Sequence, residues 1–177
     1  MITFEDLIHT PPGTVPLDWD AAEALLGFPV HAGLKDFYSR VLCGEQRCIK
    51  GTYHLDNSCF LPPASDAYAD WISLISGDVD YELYPLCSAV NFESAIQAAF
   101  EKWTGGYDMG RRALIGSFYT DVGDDFLLLF NQDTGAIEWN DPGYGHFEVY
   151  EENPYGIFAE NIEAFYLRLS GCNRSLE

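Results

Sequence analysis

Residues 126–139, FLLLFNQDTGAIEW, carry the clearest structural signal in the chain. Phe126–Phe130 is apolar without alternation, which predicts a central strand that is covered on both faces. Asn131–Gly135 has the composition of a tight hairpin turn, and Ala136–Trp139 is the predicted returning strand. Upstream, Ala113–Tyr119 is also of strand type. These segments together predict an antiparallel sheet in the C-terminal third of the chain.

Helices are predicted before, between and after the strands. Asp18 is a suitable N-cap for a helix over Trp19–Leu26, and Gly27 suits the left-handed position that follows a helix end. The spacing of apolar residues predicts helices over Phe4–His9, Trp19–Leu26, Ala32–Leu42, Phe92–Trp103 and Ala159–Leu169.

Residues 64–90 are the least readable part of the chain. Trp71, Ile72, Leu74 and Ile75 are spaced as in a helical turn, and Tyr81–Leu86 indicates a short extended piece. The order of helices, strands, a helix, strands and a helix predicts an α+β fold rather than a parallel βαβ repeat. The length fits a single domain over 1–177, with 64–90 as an elaboration of it. Further strands are expected at 47–55, 59–61 and Phe147–Tyr150, with a chain break at Pro154–Gly156.

The negative charge of the chain is concentrated in two windows. Gly51–Glu101 and Ala113–Leu167 contain acidic residues and no lysine or arginine. The acids in these windows equal in number the whole net charge of −19, because outside them acidic and basic residues balance. Such one-sided charge destabilises a folded domain by self-repulsion. Either solubility or a basic partner therefore accounts for it.

The composition restricts the classes of protein to which the chain can belong. With 47% hydrophobic residues it can build a core, so the acidity is expected on a folded surface. Nucleic acid and anionic membranes are excluded as direct ligands, since both need clustered basic residues. No signal peptide or membrane-spanning run is present, and five cysteines without a CxxC pair suggest reduced thiols in a cytoplasmic protein.

No motif in the chain predicts a catalytic centre, a metal site or a cofactor. His54 and Cys59 lie near one another in sequence but are expected to pack in a hairpin rather than to form a nucleophile–base pair. Cys43 and Cys48 add only a loose set of ligands for zinc. The neighbouring carboxylates Asp124–Asp125 would point to opposite faces of a strand, and we interpret them as a solvated turn. We therefore expect a protein that is not an enzyme.

The order of short motifs resembles the SUKH superfamily, which contains Smi/Knr-like cell-wall regulators and bacterial immunity proteins. The matching segments are Trp19–Gly27, Leu34–Tyr38, Ala113–Gly116, Gly123–Asp125, Phe126–Phe130, Asp133–Ile137 and Ile157–Leu169. The resemblance implies a mainly antiparallel sheet with helices packed on one side. It also implies a non-enzymatic protein-binding domain, in bacteria commonly paired with a toxin domain encoded beside it.

The second acidic window, together with this resemblance, predicts an anionic surface that binds a basic protein, such as a nuclease-type toxin. Aromatic residues among carboxylates suit a binding patch, although aromatic strand ends on an ordinary surface would give the same pattern. Two other functions remain open: a regulatory scaffold of cell-wall or secretion machinery, and an enzyme with a pocket at His54, His146 or the Asp124 turn. The predicted partner-binding residues are Asp121, Asp124, Asp125, Glu138, Trp139, Asp141, Tyr144, Glu148, Tyr150, Glu151 and Glu152.

Overall fold

The computed structural model describes residues 17–41, 49–55, 77–84, 92–101, 109–119, 125–141 and 155–172. These ranges contain four helices and six strands. The helices are α1 (Trp19–Leu26), α2 (Ala32–Val41), α3 (Phe92–Glu101) and α4 (Ile162–Cys172). The strands are β1 (Ile49–Leu55), β2 (Gly77–Leu83), β3 (Arg112–Tyr119), β4 (Asp125–Asn131), β5 (Ile137–Asn140) and β6 (Tyr155–Ala159).

The six strands form one sheet in sequence order, β1 to β6, and each pair of neighbours is antiparallel. The predicted α+β fold with an antiparallel sheet is thus confirmed. The pairing of β3 with β4 shifts register between Leu114 and Gly116. A side chain at Gly116 would place its Cβ 2.5 Å from the carbonyl oxygen of Glu82 on β2. Glycine is therefore required at this position, where the backbones of β2 and β3 leave no room for a side chain.

The sheet is strongly curled, so that its first and last strands approach one another. The ring of Tyr53 on β1 lies 5.5 Å from that of Phe158 on β6, and Phe118 on β3 lies 5.3 Å from Phe158. Helix α4 contacts both edge strands and adds Phe165 to this aromatic group at 5.9 Å. Its Arg168 donates to the Phe158 carbonyl at 2.6 Å and stacks over the same ring. The helix thereby covers backbone at an exposed sheet edge.

The main core lies between the helices and one face of the sheet, here called the inner face. All four helices contribute buried apolar side chains to a single cluster, for example Ala22, Phe37, Phe100 and Phe165. The same cluster contains the inner-facing residues of every strand. Within the described residues, the helices therefore share one side of the sheet.

The opposite, outer face is apolar over β3 and β4. Leu114, Leu127 and Leu129 form a second buried cluster there with Met109. Since Phe126, Leu128 and Phe130 face the inner cluster, β4 is buried on both sides. The prediction of a central, doubly covered strand from Phe126–Phe130 is confirmed.

The β4–β5 hairpin is bonded to the start of α2. Gly135 has φ +77°, as the predicted tight turn requires. Gln132 accepts from the His31 amide at 2.9 Å and donates to the Pro29 carbonyl at 2.7 Å. The His31 ring in turn accepts from the Gly33 amide at 3.0 Å, which satisfies an N–H group at the helix start. These contacts join segments that are a hundred residues apart in the chain.

Helix boundaries follow the capping residues. Asp18 accepts from the Ala21 amide at 3.0 Å and Gly27 is left-handed at φ 78°, so both predictions for α1 are confirmed. At α4, Asn161 accepts from the Ala164 amide at 2.9 Å. This helix therefore begins at Ile162 and not at residue 159 as predicted.

Two strand predictions need correction. The expected chain break at Pro154–Gly156 is wrong for its last two residues, since Tyr155–Ala159 is a strand. Because this is an edge strand, the backbone of Gly156 pairs with a neighbouring strand on one side only, opposite Trp139, and glycine is tolerated there. Residues 77–83 form an inner strand between β1 and β3, longer than the predicted extended piece. The predictions for Phe4–His9, 59–61 and Phe147–Tyr150 lie outside the described residues.

None of the helices in the described ranges combines the length and apolar character needed to cross a membrane.

Candidate functional site

Three of the predicted partner-binding residues are buried. Glu138 and Trp139 lie in β5 with 8% and 0% of their surface exposed, and Asp141, directly after the strand, is 0% exposed. A side chain in this position offers no surface to a partner. We therefore remove these three residues from the predicted binding surface.

Glu138 holds together three strands on the outer face. Its Oε2 accepts from Arg112 Nε on β3 at 2.6 Å, and its Oε1 accepts from Asn131 Nδ2 on β4 at 2.6 Å. Arg112 also donates to the Met109 carbonyl at 3.0 Å. Because both carboxylate oxygens and the guanidinium are engaged inside the fold, this acid is a structural group.

Trp139 points to the inner face, where it packs edge-on against Phe126 at 5.8 Å. Of the other predicted residues, Asp125 lies in β4, with its backbone paired to Tyr119. The remaining seven lie outside the described residues, so the surface formed by them stays a prediction: Asp121, Asp124, Tyr144, Glu148, Tyr150, Glu151 and Glu152.

A different set of carboxylates lies on the outer face of β2. Asp78, Asp80 and Glu82, here called the acidic row, alternate along the strand with the buried residues Val79, Tyr81 and Leu83. Alternate residues of a strand point to the same face, roughly 6.6 Å apart. The row therefore lies along one line at the polar end of the outer face.

Each member of the acidic row is paired across to β1. Asp78 Oδ1 lies 2.7 Å from His54 Nδ1, and Asp80 Oδ1 accepts from Thr52 Oγ1 at 3.2 Å. Glu82 Oε1 lies 3.5 Å from Lys50 Nζ. The His54 and Asp78 side chains are 60% and 61% exposed, and Lys50 is 60% exposed. Such exposed pairs are weak, so a binding partner can replace them.

Glu82 is the most enclosed member of the row, with 16% of its side chain exposed. Its Oε2 accepts from the Tyr119 hydroxyl at 2.9 Å. Tyr84 lies within hydrogen-bond distance of Ser117 and of Tyr119, at 2.7 and 3.2 Å. Burial raises the pKa of Tyr119 above its ordinary value, and its bonds to Tyr84 and Glu82 act in the same direction. Tyr119 therefore remains a neutral donor that orients Glu82.

A cavity of about 350 Å³ opens at this end of the sheet. On its floor Gly51 lies opposite Tyr81, whose hydroxyl occupies the space that a side chain at Gly51 would need. The lining contains one basic and two acidic side chains and no histidine or cysteine. The lining residues are Lys50, Gly51, Thr52, Asp80, Tyr81, Glu82 and Tyr119.

This arrangement favours binding of a cation with several hydrogen-bond donors. Carboxylate and hydroxyl oxygens supply acceptors, and a tyrosine ring supplies an aromatic wall. His54, one of the positions weighed as a catalytic residue, pairs with Asp78 beside the cavity and does not line it. In the ranges that the structure describes, no group of three His, Cys, Asp or Glu side chains could hold a metal ion.

The acidic row is not among the residues predicted from the sequence to bind a partner, because residues 64–90 were interpreted as an elaboration of the domain. The signal was present in the segment DVDYEL, 78–83, which alternates acidic and apolar residues with the period of a half-buried strand.

Comparison with models of known families, with curated proteins and with solved structures gives no match. The site therefore has to be interpreted from its own residues.

Proposed function

We propose that this chain is a non-enzymatic binding domain of the SUKH immunity type, which neutralises a basic protein, such as a nuclease-type toxin, by stoichiometric binding. The observation that carries the proposal is the acidic row beside an open cavity, on a chain with a net charge of −19.

The basic residues of the described part are largely engaged within the fold. Ion pairs join Lys35 to Glu23, Arg40 to Asp36 and Arg112 to Glu138, and Arg111 pairs with Asp133. Arg168 is bound to β6. With these cations used internally, the excess carboxylates dominate the exterior, and a basic partner is the complement that lowers their mutual repulsion.

Electrostatic complementarity of this kind acts mainly on the rate of association. A field of one sign steers an oppositely charged partner and raises its on-rate by about 10- to 1,000-fold at low salt. A partner that acts on nucleic acid has a positive substrate surface, which the acidic row can occupy in place of phosphates. Inhibition by such a protein requires no chemistry, only an enduring complex.

The test uses the purified product of the neighbouring gene as the candidate partner. We expect a one-to-one complex whose on-rate falls steeply with salt. Asp78→Asn with Asp80→Asn should slow association by about tenfold at low salt. The matched control is Glu160→Gln with Glu163→Gln, which removes the same charge from exposed positions on α4 and its flank.

Since both double variants have the same net charge, a difference between them reports the location of the binding surface. Equal on-rates for the two variants would assign the effect to net charge and remove the acidic row from the interface. Absence of a complex at any salt concentration would contradict the immunity function itself.

A further inference from the structure

We infer that the cavity between β1, β2 and β3 on the outer face receives one arginine side chain of the basic partner. This inference rests on the proposed function, and it names the chemical group that the site recognises.

The charge of the cavity calls for a single further cation. Lys50 contributes one positive charge, and Asp80 and Glu82 contribute two negative charges. One guanidinium would balance the charges of these three described lining residues. A second cation would meet the Lys50 ammonium, so we expect one basic side chain for each cavity.

The acceptors suit a guanidinium group. Thr52 donates to Oδ1 of Asp80, and Oδ2 has no hydrogen bond within the described residues. Glu82 is held by Tyr119, which fixes the position of its carboxylate. A planar guanidinium with five N–H donors can bond to both carboxylates, whereas an ammonium is a point charge without this geometry.

The size of the cavity and its aromatic lining are compatible with an arginine side chain. Its volume of about 350 Å³ lies near the lower end of the range for small-ligand sites, roughly 300–1,000 Å³. Tyr119 lies in the lining, and arginine stacks readily on aromatic rings.

Lys50 competes with the incoming side chain. Its ammonium lies 3.5 Å from Glu82 on a side chain that is 60% exposed, which is the geometry of a weak, replaceable ion pair. The incoming arginine would form the ion pair with Glu82, and the exposed Lys50 side chain would move into solvent. Removing the lysine should consequently strengthen binding.

The experiment is an amide NMR titration of the full chain with N-acetyl-arginine N-methylamide. We expect saturable shifts of Gly51, Asp80, Glu82 and Tyr119 at millimolar concentrations. The citrulline analogue, which has the same shape and no charge, should leave these amides unchanged. Asp80→Asn should weaken binding by about tenfold, and Lys50→Met should strengthen it by about threefold to tenfold.

Glu163→Gln is the matched control and should not alter the titration. Glu163 is exposed on α4, which packs against the inner face, whereas the acidic row lies on the outer face. Because Asp80→Asn and Lys50→Met act in opposite directions, a general loss of folding cannot imitate the expected pair of results.

Several outcomes would overturn the inference: equal shifts with the citrulline analogue, shifts confined to other residues, or tighter saturation of the same amides by the lysine analogue or by putrescine. A complex with the neighbouring gene product without binding of the arginine probe would reject the cavity and keep the immunity function. Binding of the probe without any such complex would reject the immunity function alone.

Discussion

Replacement of Glu138 by alanine should destabilise the fold, although the chain carries an excess of acidic residues. If net charge alone decided stability, the loss of one carboxylate from a chain with a net charge of −19 would relieve repulsion and stabilise the protein. The structure predicts the opposite sign. Glu138 accepts two hydrogen bonds of 2.6 Å, and its replacement removes the carboxylate that accepts from Arg112 Nε.

The magnitude follows from the burial of the pair. Only 18% of the Arg112 side chain and 10% of the Glu138 side chain are exposed, so solvent screens little of the lost interaction. Breaking a buried ion pair from one side costs about 3–5 kcal/mol. For a domain of this length, at about 2–4 °C per kcal/mol, the midpoint of thermal unfolding should fall by roughly 6–20 °C.

The assay is urea and thermal unfolding of Glu138→Ala beside Glu160→Gln, an exposed acid whose removal should change stability by less than about 0.5 kcal/mol. Arg112→Met combined with Glu138→Ala should recover part of the loss, because the buried charge that Glu138 balances is then removed as well. The reasoning is refuted if Glu138→Ala unfolds within about 0.5 kcal/mol of the parent protein.

Three further predictions concern the scaffold. Gly135→Ala should lower the free energy of unfolding by about 2–4 kcal/mol, because a Cβ at φ +77° would lie 2.7 Å from the His31 ring. Gly27→Ala, at φ +78° with open space around it, should lower it by only about 1 kcal/mol, and equal losses would exclude a contribution from the ring. Arg168→Met should lower the hydrogen-exchange protection of β6 amides while that of β4 stays unchanged, since the guanidinium bonds to the edge-strand carbonyl; unaltered β6 protection would contradict this role. The hydrogen bond with Lys35 on α2 is the main cause that lowers the pKa of Glu23. The Glu23 carboxylate therefore stabilises the fold above its unfolded pKa, and this stability is lost as the pH falls through the lower folded pKa. Glu23→Gln should flatten the pH dependence of the free energy of unfolding between about pH 5 and 3, and an identical slope in the variant would argue against the shift.

Much of the scaffold was predictable because its signals are local. Asp18 and Gly27 cap the two ends of α1 and interact with backbone groups only a few residues away. Phe126–Phe130 is apolar enough to require cover on both faces. The strand Tyr155–Ala159 was missed because its own residues resemble a turn. Only pairing with β5 makes it a strand.

The amino-acid sequence by itself determined that this protein is acidic, aromatic-rich and built of helices with an antiparallel sheet. It could not decide which carboxylates face solvent. Glu138 and Asp80 both lie in strands whose sequences alternate apolar and polar residues. Glu138 is enclosed beside Arg112 and Asn131, whereas Asp80 lines an open cavity near the edge strand β1. The physical reason is that exposure of a strand residue depends on the neighbouring strands and on what covers that face, and both are set only when distant segments pack together.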